Sequence, residues 1–349
     1  MNKRVAVVMA GGSGERFWPV STKERPKQFL KLADPDKTLL AQSVERAAAL
    51  SSPARTYIAT ARHLAEMSGT ACPQVPKPNI LAEPAKRNTA GALVWVAANL
   101  IAQYPDDWAF LTVAVLTADQ RIHTQTQFEE TANRAMDAAE SQGAIVTIGI
   151  RPDRPETGFG YIDCGEPVGE VFKVNKFTEK PDRATAEEFL SAGNFLWNSG
   201  MFFYTLPTFM SEMERHQPDL AAGTRKIAGE IARGDGAAAD ATFEGLASIS
   251  IDYALMEKSD KVLVAEATFE WDDLGAWDAI ARSFSPDPDG NVAVGPSKVI
   301  ESHDNVVYNE YGRQVVNLLG VQGLAVVVTD GQILVMPTEK AQEVKKFLQ

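Results

Sequence analysis

The chain has 349 residues, enough for a large core and more than one ordinary domain. Its composition, 45% hydrophobic and 23% charged, is that of a globular protein, and 34 basic against 46 acidic side chains leave a formal charge of −12. That charge argues against a nucleic-acid or anionic-membrane partner, and no apolar run approaches membrane-spanning length.

The chain opens with Met1-Asn2-Lys3-Arg4 and a near-continuous apolar run, Val5 to Ala10. The pair imitates a signal peptide, but the run is too short and enters glycines instead of a cleavage site, so a cytoplasmic protein is expected. The run reads as a strand buried on both faces. Thr38 to Leu50 has helical spacing, Thr56 to Thr60 reads as a strand and Ala61 to Thr70 as a helix. Asn79 to Pro84 is a strand ending in a loop. Thr89 to Gln103 is a helix with Asn88 as its N-cap. Phe110 to Leu116 is a strand ending at Thr117-Ala118-Asp119, Phe128 to Ser141 a helix and Ala144 to Ile150 a strand. This alternation predicts an α/β domain with a mixed, mostly parallel sheet flanked by helices. Ligands of such sheets gather at the carboxyl ends of strands, where the glycines after Ala10, Glu83 and Asp119 all lie.

After Ile150 the rhythm changes. Gly158 to Asp163 and Val171 to Thr178 read as strands, Arg183 to Ala192 as a helix, and Asn194 to Tyr204 as an aromatic-rich loop and strand. Leu206 to Ala232 is helical and divided at Pro218. Ile251 to Ser259 is a helix, Lys261 to Ala267 a strand, and Asp272 to Trp277 opens another helix. Ser285 to Gly290 is linker-like. It separates a catalytic part, residues 1–284, from a β-rich part, residues 290–349. The β-rich part holds short Val/Ile segments at Lys298–Ser302, Asn305–Asn309, Gln314–Leu319, Leu324–Thr329 and Gln332–Met336, then a helix over Glu339–Leu348.

Gly11, Gly12, Ser13 and Gly14 follow the first strand, with Arg16, Arg25 and Lys27 just beyond. A glycine loop there lets backbone N–H groups approach an anion, and the cations add charge, so the stretch reads as a phosphate cradle. It is not a Walker A loop, because Glu15-Arg16-Phe17 stands where Gly-Lys-Ser/Thr is needed, and Phe17 occupies the third-glycine position of the dinucleotide fingerprint. The run Gly11-Gly12-Ser13-Gly14-Glu15-Arg16-Phe17-Trp18-Pro19, with Arg25-Pro26-Lys27-Gln28-Phe29 after it, resembles the signature of the sugar-1-phosphate nucleotidyltransferases. The second motif resembles the mannose-1-phosphate guanylyltransferase branch. The resemblance implies a Rossmann-like nucleotidyltransferase domain, a small left-handed β-helix-like tail and a homodimer. It also implies transfer of GMP from GTP to α-D-mannose 1-phosphate with Mg²⁺.

Asp119 and Asp273 lie just past an apolar strand and at a loop–helix start. Either alone reads as a helix cap, but two carboxylates from distant segments suit Mg²⁺, and the family's Thr-Ala-Asp and Trp-x-Asp-x-Gly patterns resemble their surroundings. Asp272 stands where a smaller residue is expected, as a bystander or a substitute ligand. Glu83-Pro84-Ala-Lys-Arg87-Asn88-Thr89-Ala90 resembles the base-recognising segment of the guanylyl-transferring branch. A carboxylate accepts from the N1–H and N2–H₂ edge of guanine and repels acceptor-bearing bases, and an unmatched buried polar group costs about 1–3 kcal/mol. Arg87 is assigned to phosphate. By resemblance Lys180 holds the sugar phosphate, Glu179 and Asn198 meet the sugar, and Gly158, Gly160 and Tyr161 form the loop beside it. Cys72 and Cys164 have neither metal nor redox spacing, and the four histidines have no ligand spacing.

A sugar 1-phosphate is already an anionic nucleophile, so no Ser, Cys or general base is required. The sequence therefore predicts in-line displacement on the α-phosphorus of GTP, with Arg16, Lys27 and the glycine loop on the triphosphate. The rivals are another sugar phosphate, such as a heptose phosphate, another nucleotide, or a catalytically silent nucleotide-sugar-binding regulator.

Overall fold

The computed structural model describes residues 3–12 and 14–348. Its strands begin with β1 (Lys3–Met9), β2 (Thr56–Ala61), β3 (Ile80–Glu83), β4 (Leu111–Thr117), the short β5 (Arg121–His123) and β6 (Ile145–Ile150). They continue with β7 (Gly160–Val168), β8 (Val171–Glu179), β9 (Phe195–Thr205), β10 (Val262–Glu266) and the short β11 (Glu270–Asp272). The main sheet has the order β3-β2-β1-β4-β9-β6-β10-β8-β7. Strands β3, β2, β1 and β4 are parallel, with Val5 opposite Val113 and Val7 opposite Tyr57. The sheet becomes mixed where β9 inserts antiparallel to both β4 and β6, and β7 and β8 form an antiparallel edge.

The parallel strands are apolar because helices cover both faces. Helices α1 (Leu39–Leu50), α2 (Ala65–Ala71), α3 (Asn88–Gln103) and α4 (Gln125–Gln142) intervene between strands as the alternation predicts. Helix α3 is buried from Ala90 to Ala98, which explains its near-absence of charge. Two details differ from the sequence reading. Helix α3 begins at Asn88 itself, so Arg87 and not Asn88 stands at the N-cap position, and Asn88 carries an unusual φ of 60°. The helix expected over Ile251–Ser259 is a single π turn, Asp252–Met256.

By contact the chain separates into two compact units. One gathers the chain up to Ala10, Ser43–Thr117 and His123–Glu270, and so holds the main sheet. The other gathers Gly11–Gln42, Ala118–Ile122 and the chain from Trp271 onward. The core of this second unit joins Phe17, Leu30 and Leu32 to Trp277, Tyr308 and Val327. Trp277 sits at its centre, with ring centroids 5.0 Å from Phe17 and 5.2 Å from Tyr308, and its indole N–H donates to the Trp18 carbonyl at 2.9 Å.

The β-rich part of this unit stacks short strands in parallel: β12 (Val292–Val294) on β14 (Val306–Asn309) on β16 (Leu324–Val328), and β13 (Ser297–Ile300) on β15 (Val316–Leu319). Strand β17 (Ile333–Pro337) closes the stack antiparallel to β16. Buried asparagines run between coils: Asn305 donates to Asn291 Oδ1 at 2.8 Å, and Asn305 Oδ1 accepts from the Leu324 N–H at 3.0 Å. Each link satisfies a polar group that burial would otherwise leave costly. The end, Thr338–Leu348, is the expected terminal helix, in 3₁₀ form. Its buried residues Ala341 and Val344 lie three apart, which suits three residues per turn. Among the described residues no helix is long and apolar enough to cross a membrane.

Candidate active site

Past β1 the second unit begins with the glycine loop. Gly14 has a φ of 62°, and a Cβ there would stand 2.3 Å from Lys27 Cβ. Both its conformation and its packing require glycine. Gly11 and Gly12 differ: neither has a positive φ, and a Cβ on either would meet nothing within 4 Å. What their missing side chains preserve is open space, which suits close approach of an anion to the backbone. Ser13 lies outside the described residues.

Lys27 opens a 3₁₀ turn behind Pro26 and is only 6% exposed. Its Nζ donates to Asp119 Oδ2 at 3.1 Å and to the Asp273 carbonyl at 2.6 Å. One buried ammonium thus joins three segments of chain. A pocket of about 310 Å³ brings together Gly14, Arg16, Lys27, Asp119 and Asp273. Gln120, Gly275 and Lys345 line it too, and of the three the sequence reading holds only Gly275, as the glycine of the Trp-x-Asp-x-Gly pattern. Gly275 has a steric reason, since a Cβ there would stand 2.9 Å from Asp273 Oδ2.

Two charged residues of the same unit are engaged elsewhere. Arg25 forks onto Glu310, at 2.9 and 2.6 Å, so its charge is matched by a residue of the β-rich part. Asp272 accepts from Arg282 Nε at 2.6 Å and from the Leu274 N–H at 2.8 Å. It braces the turn that carries Asp273 and is not among the residues lining the pocket.

Burial pushes the Asp273 carboxyl up to about 6. Asp272 and Asp119 add to the rise, while Lys27 and Arg16 oppose it. The rise is therefore chiefly the desolvation of the Asp273 oxygens, with the Lys27 cation beside them. Oxygen donors in that condition fit a hard divalent cation, and Asp119 and Asp273 are the residues that would hold it. Among the described residues no group of three or more His, Cys, Asp or Glu side chains is placed to hold a metal alone. A cation here would rely on substrate phosphates and water for its remaining ligands, as Mg²⁺ commonly does.

The first unit carries the other predicted residues. Glu83 ends β3, and burial raises its carboxyl to about 7. Pro84 begins the turn behind it. The Arg87 guanidinium donates to the Glu244 carbonyl, at 3.1 Å from Nε, a backbone contact where the sequence suggested phosphate. Asn88 Oδ1 accepts from the Thr89 N–H at 2.8 Å, and Thr89 Oγ1 accepts from the Ile251 N–H at 2.8 Å. The start of α3 is thereby tied to the chain entering the π turn.

That turn supplies Asp252. Asn198 donates to Asp252 Oδ1 at 3.2 Å, while its own Oδ1 accepts from Thr147 Oγ1 at 2.9 Å. Burial, then the nearby Glu179 carboxylate, pushes Asp252 up to about 6. Glu179 ends β8 opposite Gly160, where a Cβ would come within 2.6 Å of Glu179 Oε2. Lys180 forms an ion pair with Glu179 and has a φ of 47°, unusual for a non-glycine residue. Backbone held in that region costs energy and marks a position fixed by its surroundings. The Gly158 N–H donates to Glu156 at 3.1 Å, whereas Tyr161 is fully buried, its ring 5.4 Å from Phe189.

Residues 5–289 match the family model described as nucleotidyl transferase. The chain belongs to that family. Residues 297–349 match a second model, the MannoseP isomerase/GMP-like beta-helix domain, in keeping with the parallel coils of the nucleotidyl transferase's tail. The chain is 36% identical to the alginate biosynthesis protein AlgA of Pseudomonas aeruginosa, over 98% of this chain and 70% of the relative. It is 32% identical to a mannose-1-phosphate guanylyltransferase of Escherichia coli, over 99% of this chain and 75% of the relative. A solved structure from Thermus thermophilus, described as mannose-1-phosphate geranyltransferase, superposes with a TM-score of 0.87 at 37% identity and covers 99% of this chain and 98% of its own.

Sequence reasoning overlooks Asp252 in this nucleotidyl transferase, although the signal is present: one carboxylate between Ile251 and the apolar Ala254-Leu255-Met256. Gln120 directly follows Asp119 and accepts from the Trp271 indole N–H at 2.8 Å.

Proposed function

We infer that the protein transfers the GMP unit of GTP to α-D-mannose 1-phosphate, forming GDP-mannose and pyrophosphate. The observation that carries nucleotidyl transfer is the pocket in which two cations, Arg16 and Lys27, meet two carboxylates, Asp119 and Asp273, beside open glycine backbone. The sugar and base are supported by the mannose-1-phosphate guanylyltransferases that match this chain over nearly its whole length.

In this reading Arg16, Lys27 and the glycine loop bind the triphosphate, and Lys180 steers the sugar phosphate. Glu179 and Asn198 orient the sugar. Asp119 and Asp273 hold the divalent cation, Mg²⁺ in this proposal, which supplies charge neutralisation at the reacting phosphate. The sugar phosphate needs no deprotonation at neutral pH, so this chain's own work is positioning and electrostatics. Glu83 accepts from guanine, with Pro84, Asn88 and Thr89 completing the nucleotide-binding segment, while Arg87 is held on the Glu244 carbonyl.

The test is pyrophosphate release with Mg²⁺ and mannose 1-phosphate, offering GTP, ATP, UTP and dTTP separately. Release with GTP alone is expected. Glu83→Gln should reduce the preference for GTP by about tenfold or more, because the acceptor pair for N1–H and N2–H₂ is lost. With Glu83 near 7, the carboxylate is protonated as pH falls from 8 to 6, so the KM for GTP should rise over that range more steeply in the parent than in Glu83→Gln, where only the protonation of Asp273 remains. An unchanged base preference in the variant would sink the assignment of Glu83.

A homodimer is part of the proposal. It is supported by exposed apolar side chains on the β-rich part, among them Leu319, Ile333 and Val335 at 56–69% exposure. Sedimentation velocity at micromolar concentration checks this, and a monomer there would rule it out.

A further inference from the structure

The closing segment Thr338–Leu348 does more than cap the coils. Its 3₁₀ form repeats every three residues, so side chains three apart share a row. One row runs through Ala341, Val344 and Phe347: the first two are buried, and Phe347, itself largely exposed, lays one ring face on Trp18 with centroids 5.1 Å apart. The adjacent row contains Gln342 and Lys345. Gln342 accepts from Arg16 Nη1 at 3.4 Å, and Lys345 lines the pocket that also holds Lys27, Asp119 and Asp273. Packing on one row therefore fixes where the other row points.

Charge gives that placement a purpose. The ionisable residues lining the pocket are Glu15, Asp119 and Asp273 against Arg16, Lys27 and Lys345. Without Lys345 the wall would carry one net negative charge, unfavourable for a polyphosphate. Lys27 is already committed to Asp119 and to the Asp273 carbonyl. Among the described residues Lys345 makes no ion pair, whereas its neighbour Lys346 is paired with Glu343.

We propose that Lys345 is a phosphate-binding residue of the active pocket, contacting the part of the nucleoside triphosphate that leaves as pyrophosphate. The proposal rests on the nucleotidyl-transfer reading above. It makes the β-rich tail a contributor to substrate binding, and it gives Trp18–Phe347 stacking a positioning role.

The test is calorimetric titration of the full chain with inorganic pyrophosphate in the presence of Mg²⁺, a readout that needs neither base nor sugar. Lys345→Ala should weaken pyrophosphate binding about tenfold or more, and Lys345→Arg should restore most of it. Lys346→Ala should bind as the parent does. Melting temperatures of all three should match the parent, since neither side chain belongs to the core. In turnover, Lys345→Ala should raise the KM for GTP and leave the KM for mannose 1-phosphate unchanged. Pyrophosphate affinity within twofold of the parent in Lys345→Ala would overturn the proposal, as would an equal loss in Lys346→Ala, which would indicate only a general surface-charge effect. A parent that neither binds pyrophosphate nor turns over would overturn the underlying activity together with it, whereas binding and turnover in the parent with an unaffected Lys345→Ala would overturn this inference alone.

Discussion

Lys27→Met is expected to lower kcat/KM for pyrophosphate release by about 10³-fold or more while the protein still folds. The size follows from what one ammonium does. It is buried, it is the donor to Asp119 Oδ2 and the Asp273 carbonyl, and it lies in the pocket assigned to the triphosphate. Methionine keeps the volume and flexibility of the stem but none of the donors. The substitution also acts indirectly, because Lys27 is one of the two cations that hold the Asp273 pKa down. Its removal moves Asp273 further towards the protonated form and weakens divalent-cation binding at neutral pH. The stability cost should stay near 1–3 kcal/mol, the penalty of leaving one buried carbonyl without its donor. Steady-state kinetics beside a thermal melt separates the two effects. A folded Lys27→Met protein with activity within tenfold of the parent would remove Lys27 from the mechanism.

The contacts of this one lysine explain why the grouping of Gly14, Lys27, Asp119 and Asp273 in one pocket was legible. Gly14, Lys27 and Asp273 act through contacts that the sequence records as short motifs: the glycine is required because Lys27 packs against it, and Pro26 sets the turn that delivers Lys27. The parallel strands were legible for a similar local reason. Burial on both faces leaves an apolar run, as in Val5 to Val8 and Val113 to Leu116. The short coils of the tail announce themselves as brief Val-rich apolar runs between turns.

What the sequence hid depends on partners far along the chain. Strand β9 inserts antiparallel between β4 and β6, and no local pattern dictates that pairing. The Asp252–Met256 segment has an ordinary helical composition, yet it forms a π turn beside Asn198 and the Thr89–Ile251 bond. Arg25 looks like a phosphate cation until Glu310, 285 residues away, takes both arms of its guanidinium. Lys345 is the reverse case, a lysine among several in a charged tail that acquires a site only through packing of Ala341, Val344 and Phe347.

Asp273→Asn should abolish turnover and, without divalent cation, make the protein more stable than its parent at neutral pH. The sign follows from the raised pKa. Asp273 titrates near 6 in the folded chain and near 3.9 when unfolded, so between about pH 4 and pH 6 the native state holds a proton that the unfolded state has released. Stability is therefore lost as pH rises through that window, and above it the charged, buried carboxylate costs on the order of 2–3 kcal/mol. Asparagine resembles the protonated form and avoids that cost. The advantage of Asp273→Asn over the parent should be largest above pH 7 and nearly gone at pH 4. Divalent cation should invert the comparison: Mg²⁺ with GTP raises the parent's melting temperature through preferential binding to the native state, and raises that of Asp273→Asn much less. Melts at pH 4.5 and 7.5, each with and without Mg²⁺ and GTP, make the check. Asp273→Asn melting below the parent at pH 7.5 without cation would show that the carboxylate contributes to the fold and would remove the charge argument for its place in the metal site. A stabilised but inactive Asp273→Asn protein would show that the fold tolerates this charge at a cost, and that the charge serves catalysis.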